Sequence, residues 1–397
     1  MSADVAADAY VWGYPLVVMH RTRAALGRSG LGRLVYRDRL ATTADRTVVG
    51  PNNDTLYASG WFDLRHGDLR VRVPVMDPPD RYWSVMLIDA YTNVQYVSRR
   101  LYGTTGAEVR ITYDRETVLD PDTPSDVITI GTATVWVLVR VLVDGPDDLP
   151  AAAHSQRSIT LMQPAGAEPT GSSVAVGAPN RVHHAGASFF DELRAAVELD
   201  PPARWHPPMP DGGAELLARP PSPDVLAAGV DDGEARVVAH GLGIDRLANG
   251  WGTRSRGAAF GDDLVYRAAF AKYSLAGHLP AENRSYARGI DGSRPVVLRF
   301  AHGEEPPCNG FWSLSMYGTD MFFVDNEIDR YSVGDRTAGL VRDDDGALTI
   351  TVSHTCPDGS TNWLPAPPGR GLVALRVYEG LPAVVDATWF PPDLGAV

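Results

Sequence analysis

Cysteine is almost absent: the 397-residue chain holds only Cys308 and Cys356. Two thiols are too few for a disulfide framework, and neither belongs to a CxxC pair of the kind that binds zinc or exchanges disulfides. Positive charge is scarce too. Lys and Arg number 36 against 49 Asp and Glu, a formal net charge of −13 with no dense basic run. That balance disfavours nucleic acid and anionic membranes as partners. No segment reaches transmembrane length, and "MSADVAADAYVWGYPLVVMHRTRAAL" puts acids before its apolar part with no basic region ahead of it, so a cytoplasmic protein is expected.

Signature motifs are missing as well. No P-loop or G-x-G-x-x-G occurs after a strand, and "GLGIDRLANG" at 241–250 has spaced glycines only. A G-x-S-x-G elbow, H-x-H and H-E-x-x-H are all absent. The ten histidines are scattered; a jelly roll could gather His20, His240, His302 or His354 around a carboxylate, but the expectation is no metal and no cofactor.

What the chain does have is period two. "TLYASGWFDL", "LRVRVPV", "RYWSVMLIDA", "EVRITY" and "TATVWVLVRVLVD" alternate as strands between turn-forming clusters. In the last, Val135, Val137, Val139, Val141 and Val143 share one face and Trp136, Leu138 and Leu142 the other, which predicts a central strand buried on both sides. A first helix capped by Ser2 should run toward Leu26, kinked or broken at Pro15. Helical spacing dominates residues 146–285, and strands return in "PVVLRFAH", "GFWSLSMYG", "ALTITVSH" and "LVALRVY". The expected fold is mainly β with a helical connector (α+β): two antiparallel sandwich or jelly-roll units at 1–145 and 286–397, joined by 146–285.

Chemistry should concentrate in "GPNNDTLYASGWFDL". On a strand, Thr55, Tyr57, Ser59, Trp61 and Asp63 share a face on which large aromatics stand beside hydroxyl and carboxylate groups, as in a ligand-lined cleft. In "RYWSVMLIDAYTN", Arg81, Trp83 and Asp89 project together, with Tyr91 just beyond. "FWSLSMY" aligns Phe311, Ser313, Ser315 and Tyr317. The expected catalytic set is Asp54 or Asp89 as acid or base, Tyr57 as proton relay and Arg81 as carboxylate partner. Asn52, Asn53, Trp61, Trp83, Tyr91, Trp312, Tyr317, Asn362 and Trp363 are the expected substrate contacts.

"PNNDTLYASGWFDL", "DRYWSVMLIDAYTNV" and "TTG" resemble the family known as domain of unknown function 1254. "YARGIDGSRPVVLRF", "PPCNGFWSLSMYG", "DGALTI", "NWLPAP" and "LRVY" resemble its frequent partner, domain of unknown function 1214. The resemblance implies two β-rich domains with a helical connector. Its motif positions here are Asn52, Asp54, Thr55, Tyr57, Trp61, Asp63, Arg81, Tyr82 and Asp89, then Trp312, Ser313, Tyr317, Asn362, Trp363, Arg376 and Tyr378. "RRLYG" before "TTG", and Gly371 where an aromatic is usual, depart from the pattern and suggest a reshaped pocket. The functional expectation is a cofactor-independent acid–base enzyme acting on a small, largely apolar molecule by isomerisation, cyclisation, elimination or hydrolysis. The alternative is a double jelly roll that binds a carbohydrate or other small ligand without catalysis. A homo-oligomer is left open.

Overall fold

A computed structural model describes residues 2–27, 31–46, 49–118, 120–164, 179–357 and 361–396. The first β unit contains β1 (Val35–Arg37), β2 (Thr55–Asp63), β3 (Leu69–Val73), β4 (Trp83–Asp89), β5 (Val94–Ser98), β6 (Ala107–Tyr113), β7 (Val127–Ile130), β8 (Thr134–Leu142) and β9 (Thr160–Met162). They form two sheets, β1-β2-β8-β4-β5 and β7-β6-β3-β9. Residues of both sheets, among them Ala58, Phe62, Trp83, Val85, Leu87, Leu69, Val71, Val109 and Ile111, meet in one apolar core, so the unit is a sandwich. β8 is central, and all nine of its residues are buried. Its valines at 135–141 enter the sandwich core, while Trp136 and Leu138 enter a second apolar layer.

The second unit contains β10 (Arg246–Ala248), β11 (Trp251–Thr253), β12 (Asn283–Asp291), β13 (Val296–Phe300), β14 (Trp312–Gly318), β15 (Ser332–Gly334), β16 (Leu348–Ser353), β17 (Trp363–Pro365), β18 (Arg370–Tyr378) and β19 (Gly395–Ala396). These make sheets β10-β11-β12-β18-β14-β15 and β17-β16-β13-β19. Trp312, Leu314, Met316, Val373, Leu375 and Val377 of the larger sheet pack against Leu298, Phe300, Ile350 and Val352 of the smaller. Every second residue of β14 and β18 is thereby taken by the core. The remainder, including Ser313, Ser315, Tyr317, Arg376 and Tyr378, projects from the opposite face. Most pairings are antiparallel; β6–β7 and β16–β17 are parallel.

The helices are α1 (Ala3–Leu26), α2 (Arg99–Tyr102), α3 (Leu149–Ser158), α4 (Phe189–Leu199), α5 (Gly213–Ala218), α6 (Pro223–His240), α7 (Leu264–Ser274) and α8 (Pro382–Val385). Ser2 caps α1 as expected, its hydroxyl accepting from Val5 N. Pro15 does not break it. Residues Tyr10 to Arg21 are buried without interruption, and packing on every side holds the helix through the one missing N–H. α4, α5, α6 and α7 surround α1 in a helical core of their own. The expected connector is thus a bundle built on the N-terminal helix, and its ends are strands: β9 joins a sheet of the first unit, β10 and β11 a sheet of the second.

α6 lies unusually close to α1. A Cβ on Gly229 would stand 2.3 Å from Ala6 Cβ and 2.9 Å from its backbone carbon. In an open helix Gly→Ala gains up to about 1 kcal/mol. Here Gly229→Ala is expected to lose about 1–3 kcal/mol through overpacking, and the urea unfolding midpoint gives the sign directly.

Candidate functional site

Strand register assembles a polar row across the first unit. Arg37, Tyr57, Arg140, Ser84 and Ser98 are successive cross-strand partners on β1, β2, β8, β4 and β5. In the second unit Ser285, Arg376 and Ser313 form the matching row on β12, β18 and β14. The two rows belong to faces turned toward each other, and "PNND" at 51–54 stitches them. Asp54 Oδ2 accepts from Ser313 Oγ at 2.6 Å, and Tyr317 OH donates to Pro51 O at 2.6 Å. Asn52 Oδ1 accepts from Asp54 N, which fixes its amide so that Nδ2 donates to the Tyr378 hydroxyl. Having accepted there, Tyr378 keeps its own proton to give.

Two guanidinium groups define the electrostatics. Arg140 is buried, with its charge above the Tyr57 ring at 5.3 Å and hydrogen bonds to Ala276 O and Met86 S. No carboxylate among the described residues lies within ion-pair distance of it, and its Nε has no partner there. Burial opposes its charge, yet the phenols of Tyr57, Tyr82 and Tyr378 hold its pKa above the ordinary value. Arg376 donates to Ser315 Oγ and Gly50 O, both at 2.9 Å, and is likewise raised, against burial, by Tyr317, Tyr378 and Asp54. Burial, then Arg140 and Arg376, hold His278 well below the usual imidazole range, so it is neutral at pH 7. Burial raises Tyr378, with Tyr57 adding to it.

His278, Arg376 and Tyr57 are nevertheless only half-buried. We read these deep groups, which still reach water, as lining a narrow recess between the units. Its aromatic wall is Phe311 stacked on Tyr378 at 4.1 Å and 16°, with Tyr82 edge-on at 5.2 Å. Asn53 Oδ1 and Thr55 Oγ1, also buried without a partner among the described residues, lie on the same turn. Ala276, whose carbonyl holds Arg140, has φ +61°, and Glu379, next to Tyr378, has φ +50°; both are strained for residues with a Cβ.

The recess therefore gathers Asn52, Asn53, Asp54, Tyr57 and Tyr317 of the expected set. The others stand elsewhere. Asp89 is at the far end of β8: Thr55 pairs with Leu142 and Asp89 with Val135, roughly 23 Å of strand apart. Arg81 pairs with Asp148 and donates to Leu142 O, so it fixes neither expected carboxylate. Trp83 fills the sandwich core, and Trp61 stacks on Trp136 at 5.9 Å beneath the helical layer. Tyr91 is buried in the helical core with its hydroxyl on Asp200 O. Trp312 lies in the second core, Trp363 bonds Ser353, and Asn362 ties Val341 to Thr349. Sequence reasoning passed over Arg140 and His278. For Arg140 a signal existed, since it is the lone charge in "TVWVLVRVL".

Asp89 serves its own turn. Its Oδ1 accepts from Tyr91 N and Asn93 N, and its Oδ2 from Asn93 Nδ2 at 2.8 Å. Burial pushes the carboxyl up to about 6 against these bonds and the nearby Arg267. A pKa raised on folding means that the native state holds the proton more tightly than the unfolded one. Asp89 therefore costs the fold stability progressively as pH rises from about 4 to about 6, approaching 3 kcal/mol. The stability of Asp89→Asn relative to the parent is expected to improve by that order between pH 4 and pH 7, measured by urea unfolding at each pH.

Two family models match the chain: Protein of unknown function (DUF1254) over residues 31–163 and Protein of unknown function (DUF1214) over 280–382. The chain pairs a DUF1254 region with a DUF1214 region. The recess lies where they meet, with Asn52, Asp54, Tyr57 and Tyr82 from the DUF1254 side and Ser313, Tyr317, Arg376 and Tyr378 from the DUF1214 side. The crystal structure of the VPA0106 protein from Vibrio parahaemolyticus is similar over 100% of both chains, with TM-score 0.72 and 22% identity. An uncharacterized protein from Burkholderia cenocepacia matches 98% of this chain and 88% of its own, with TM-score 0.50 and 14% identity. These likenesses concern the fold alone. No curated protein matches the sequence.

Proposed function

We propose that the recess between the DUF1254 and DUF1214 regions is the active site of a cofactor-independent acid–base enzyme, whose substrate is a small molecule carrying one anionic group. The observation that carries this reading is Arg140: a buried guanidinium with, among the described residues, no carboxylate within ion-pair distance and no partner for its Nε, facing a second cation, Arg376, on the opposing sheet. Buried charge without a counter-ion is costly, and an anionic ligand supplies the missing partner. In this reading Arg140 and Arg376 hold the anion, and Tyr378, neutral and with its proton free, donates. Tyr57 accepts or relays the proton over the Arg140 charge, and Phe311 with Tyr82 walls the apolar part of the substrate. Asp54 keeps Ser313 and Arg336 in place. Proton transfer at a carbon next to the anchoring group, hence isomerisation or elimination, is the chemistry such a set performs.

The test is solvent exchange. The protein is incubated in D2O with 2-oxobutanoate and with 3-butenoate, and carbon-bound deuterium is followed by NMR. The parent should incorporate deuterium, and Tyr57→Phe and Tyr378→Phe should be slower by about 10²–10⁴-fold. Exchange at the parent rate in both variants, or binding with no exchange, would overturn the enzymatic reading; the latter result is that of a binding module. A cytoplasmic setting without nucleic-acid or membrane partners belongs to the same proposal. It is supported by the net charge of −13, and among the described residues no helix is long and apolar enough to cross a membrane.

A further inference from the structure

A cavity of about 300 Å³ borders Trp312 at the start of β14, Asp335 just after β15 and Leu348 at the start of β16. It shares no lining residue with the recess and carries charge of both signs, from Asp335, Glu305 and Arg342. Glu305 and Arg342 are already paired, Oε1 accepting from Nη1 at 2.5 Å. Asp335 is less fully engaged. Its side chain is 33% exposed, and Arg336 Nε stands 3.3 Å from Oδ1 without making a hydrogen bond. Burial pushes this carboxyl up to about 6, against Arg336 and the Trp312 backbone N–H, so it is mostly ionised at pH 7. Two donors stand in the same lining. Trp312 is 2% exposed and its indole N–H has no acceptor among the described residues; unlike the indoles of Trp61 and Trp205, it is not sealed from solvent, and the space it borders is this cavity. Thr337 Oγ1 accepts from Gly334 N at 2.9 Å, which leaves its own proton to give. Leu340 and Leu348 supply an apolar wall, and a Cβ at Gly339 would meet no atom within 4 Å.

We infer that this cavity is a binding site, separate from the recess, for a neutral polyhydroxylated molecule of monosaccharide size. A hydroxyl both donates and accepts, and a carboxylate accepts through two oxygens. Neighbouring hydroxyls therefore give their protons to Asp335 while an oxygen of the same molecule accepts from the Trp312 N–H or the Thr337 O–H. Bonds to an ionised acceptor are the stronger kind. The carbon face of the ring lies on Leu340 and Leu348. Other ligand classes fit less well. An ammonium ion would leave the indole N–H unmet and meet Arg342, and an anion would meet Asp335 and Glu305. A hydrocarbon would strand both the carboxylate and the two donors. The volume is at the small end of ligand pockets, which suits one ring rather than an extended chain.

The experiment uses the full-length protein with ¹⁵N-labelled tryptophan. D-glucose, D-galactose, D-mannose and myo-inositol are titrated as probes, with ethylammonium and glycine as the cationic and zwitterionic controls. The Trp312 indole resonance, assigned by its loss in Trp312→Phe, should move saturably with at least one of the four polyols and with neither control. That polyol should bind at least about 10-fold more weakly to Asp335→Ala when followed by ligand-observed NMR. Asp335 is partly exposed and outside the apolar core, and the ligand-observed measurement needs no tryptophan assignment, so the test stays decisive if Trp312→Phe does not fold. The inference is overturned by any of three results: no saturable response to any of the four polyols, undiminished affinity in Asp335→Ala, or an equal response to ethylammonium or glycine. The recess probes are carboxylates and these polyols are uncharged, so failure of one reading leaves the other standing.

Discussion

Arg140→Met is expected to leave the protein as stable as the parent, or up to about 2 kcal/mol more stable, while weakening the binding of an anionic ligand at least about 100-fold. The two halves of this result come from the same fact. Arg140 is 4% exposed and has no carboxylate partner among the described residues, so the folded protein carries the desolvation of a cation offset only by phenols, a carbonyl and a thioether and not by an opposite charge. Methionine keeps the unbranched apolar stem, though it is shorter, and suits the neighbouring Met86, Leu138 and Tyr57. Against this stands the lost bond to Ala276 O, worth roughly 1 kcal/mol. A structural arginine would behave oppositely: its removal would destabilise the fold and spare binding. Urea unfolding and ligand titration on one preparation measure both halves.

Glu282→Ala is expected to cost about 3–5 kcal/mol. Glu282 is fully buried at the start of β12, and its carboxylate accepts from Tyr82 OH, Ser98 Oγ and Arg100 Nε, each at 3.0 Å and each from the first unit. Burial raises its pKa, and Arg100 opposes the rise. Truncation strands three donors, one of them charged, at the seam between the units. The neighbouring Arg99–Glu379 pair crosses the same seam. Urea unfolding followed by tryptophan fluorescence should show the loss, together with a broadened or split transition as the units cease to unfold together. A cost under about 1 kcal/mol would show that the seam is held elsewhere. Glu282 and Arg140 thus make a matched contrast: both are charges buried between the same units, one fully partnered and one not.

Much of the architecture was legible because a strand commits alternate side chains to opposite faces. The valines of β8 predicted a central strand, and "FWSLSMY" predicted a polar face on β14; both are observed. The grouping of site residues was less legible. β2 and β4 both pair antiparallel with β8, so they run parallel to each other, and the start of one lies far from the end of the other. Asp54 and Asp89 part for that reason, which depends on strand order and is written in neither segment. His278 and Glu282 sit in a stretch without periodicity, placed only when α7 hands the chain to β12. Two signals were present and unused. A single arginine inside a doubly buried strand has to find a partner or a function, and "NG" at 249–250 closes a two-residue hairpin with Asn249 at φ +51° and Gly250 at φ +74°.

The central claim is that Arg140 and Arg376 together hold an anionic group between the two β units. The most direct measurement is the urea unfolding midpoint of the parent, Arg140→Met and Arg376→Met with increasing sodium benzoate, at constant ionic strength set with sodium chloride. A ligand that binds only the folded protein raises its stability by about 2.7 kcal/mol at one hundred times its dissociation constant. The account predicts a saturable rise in the parent and none in either variant. An equal rise in all three proteins, or no rise in the parent, would contradict it.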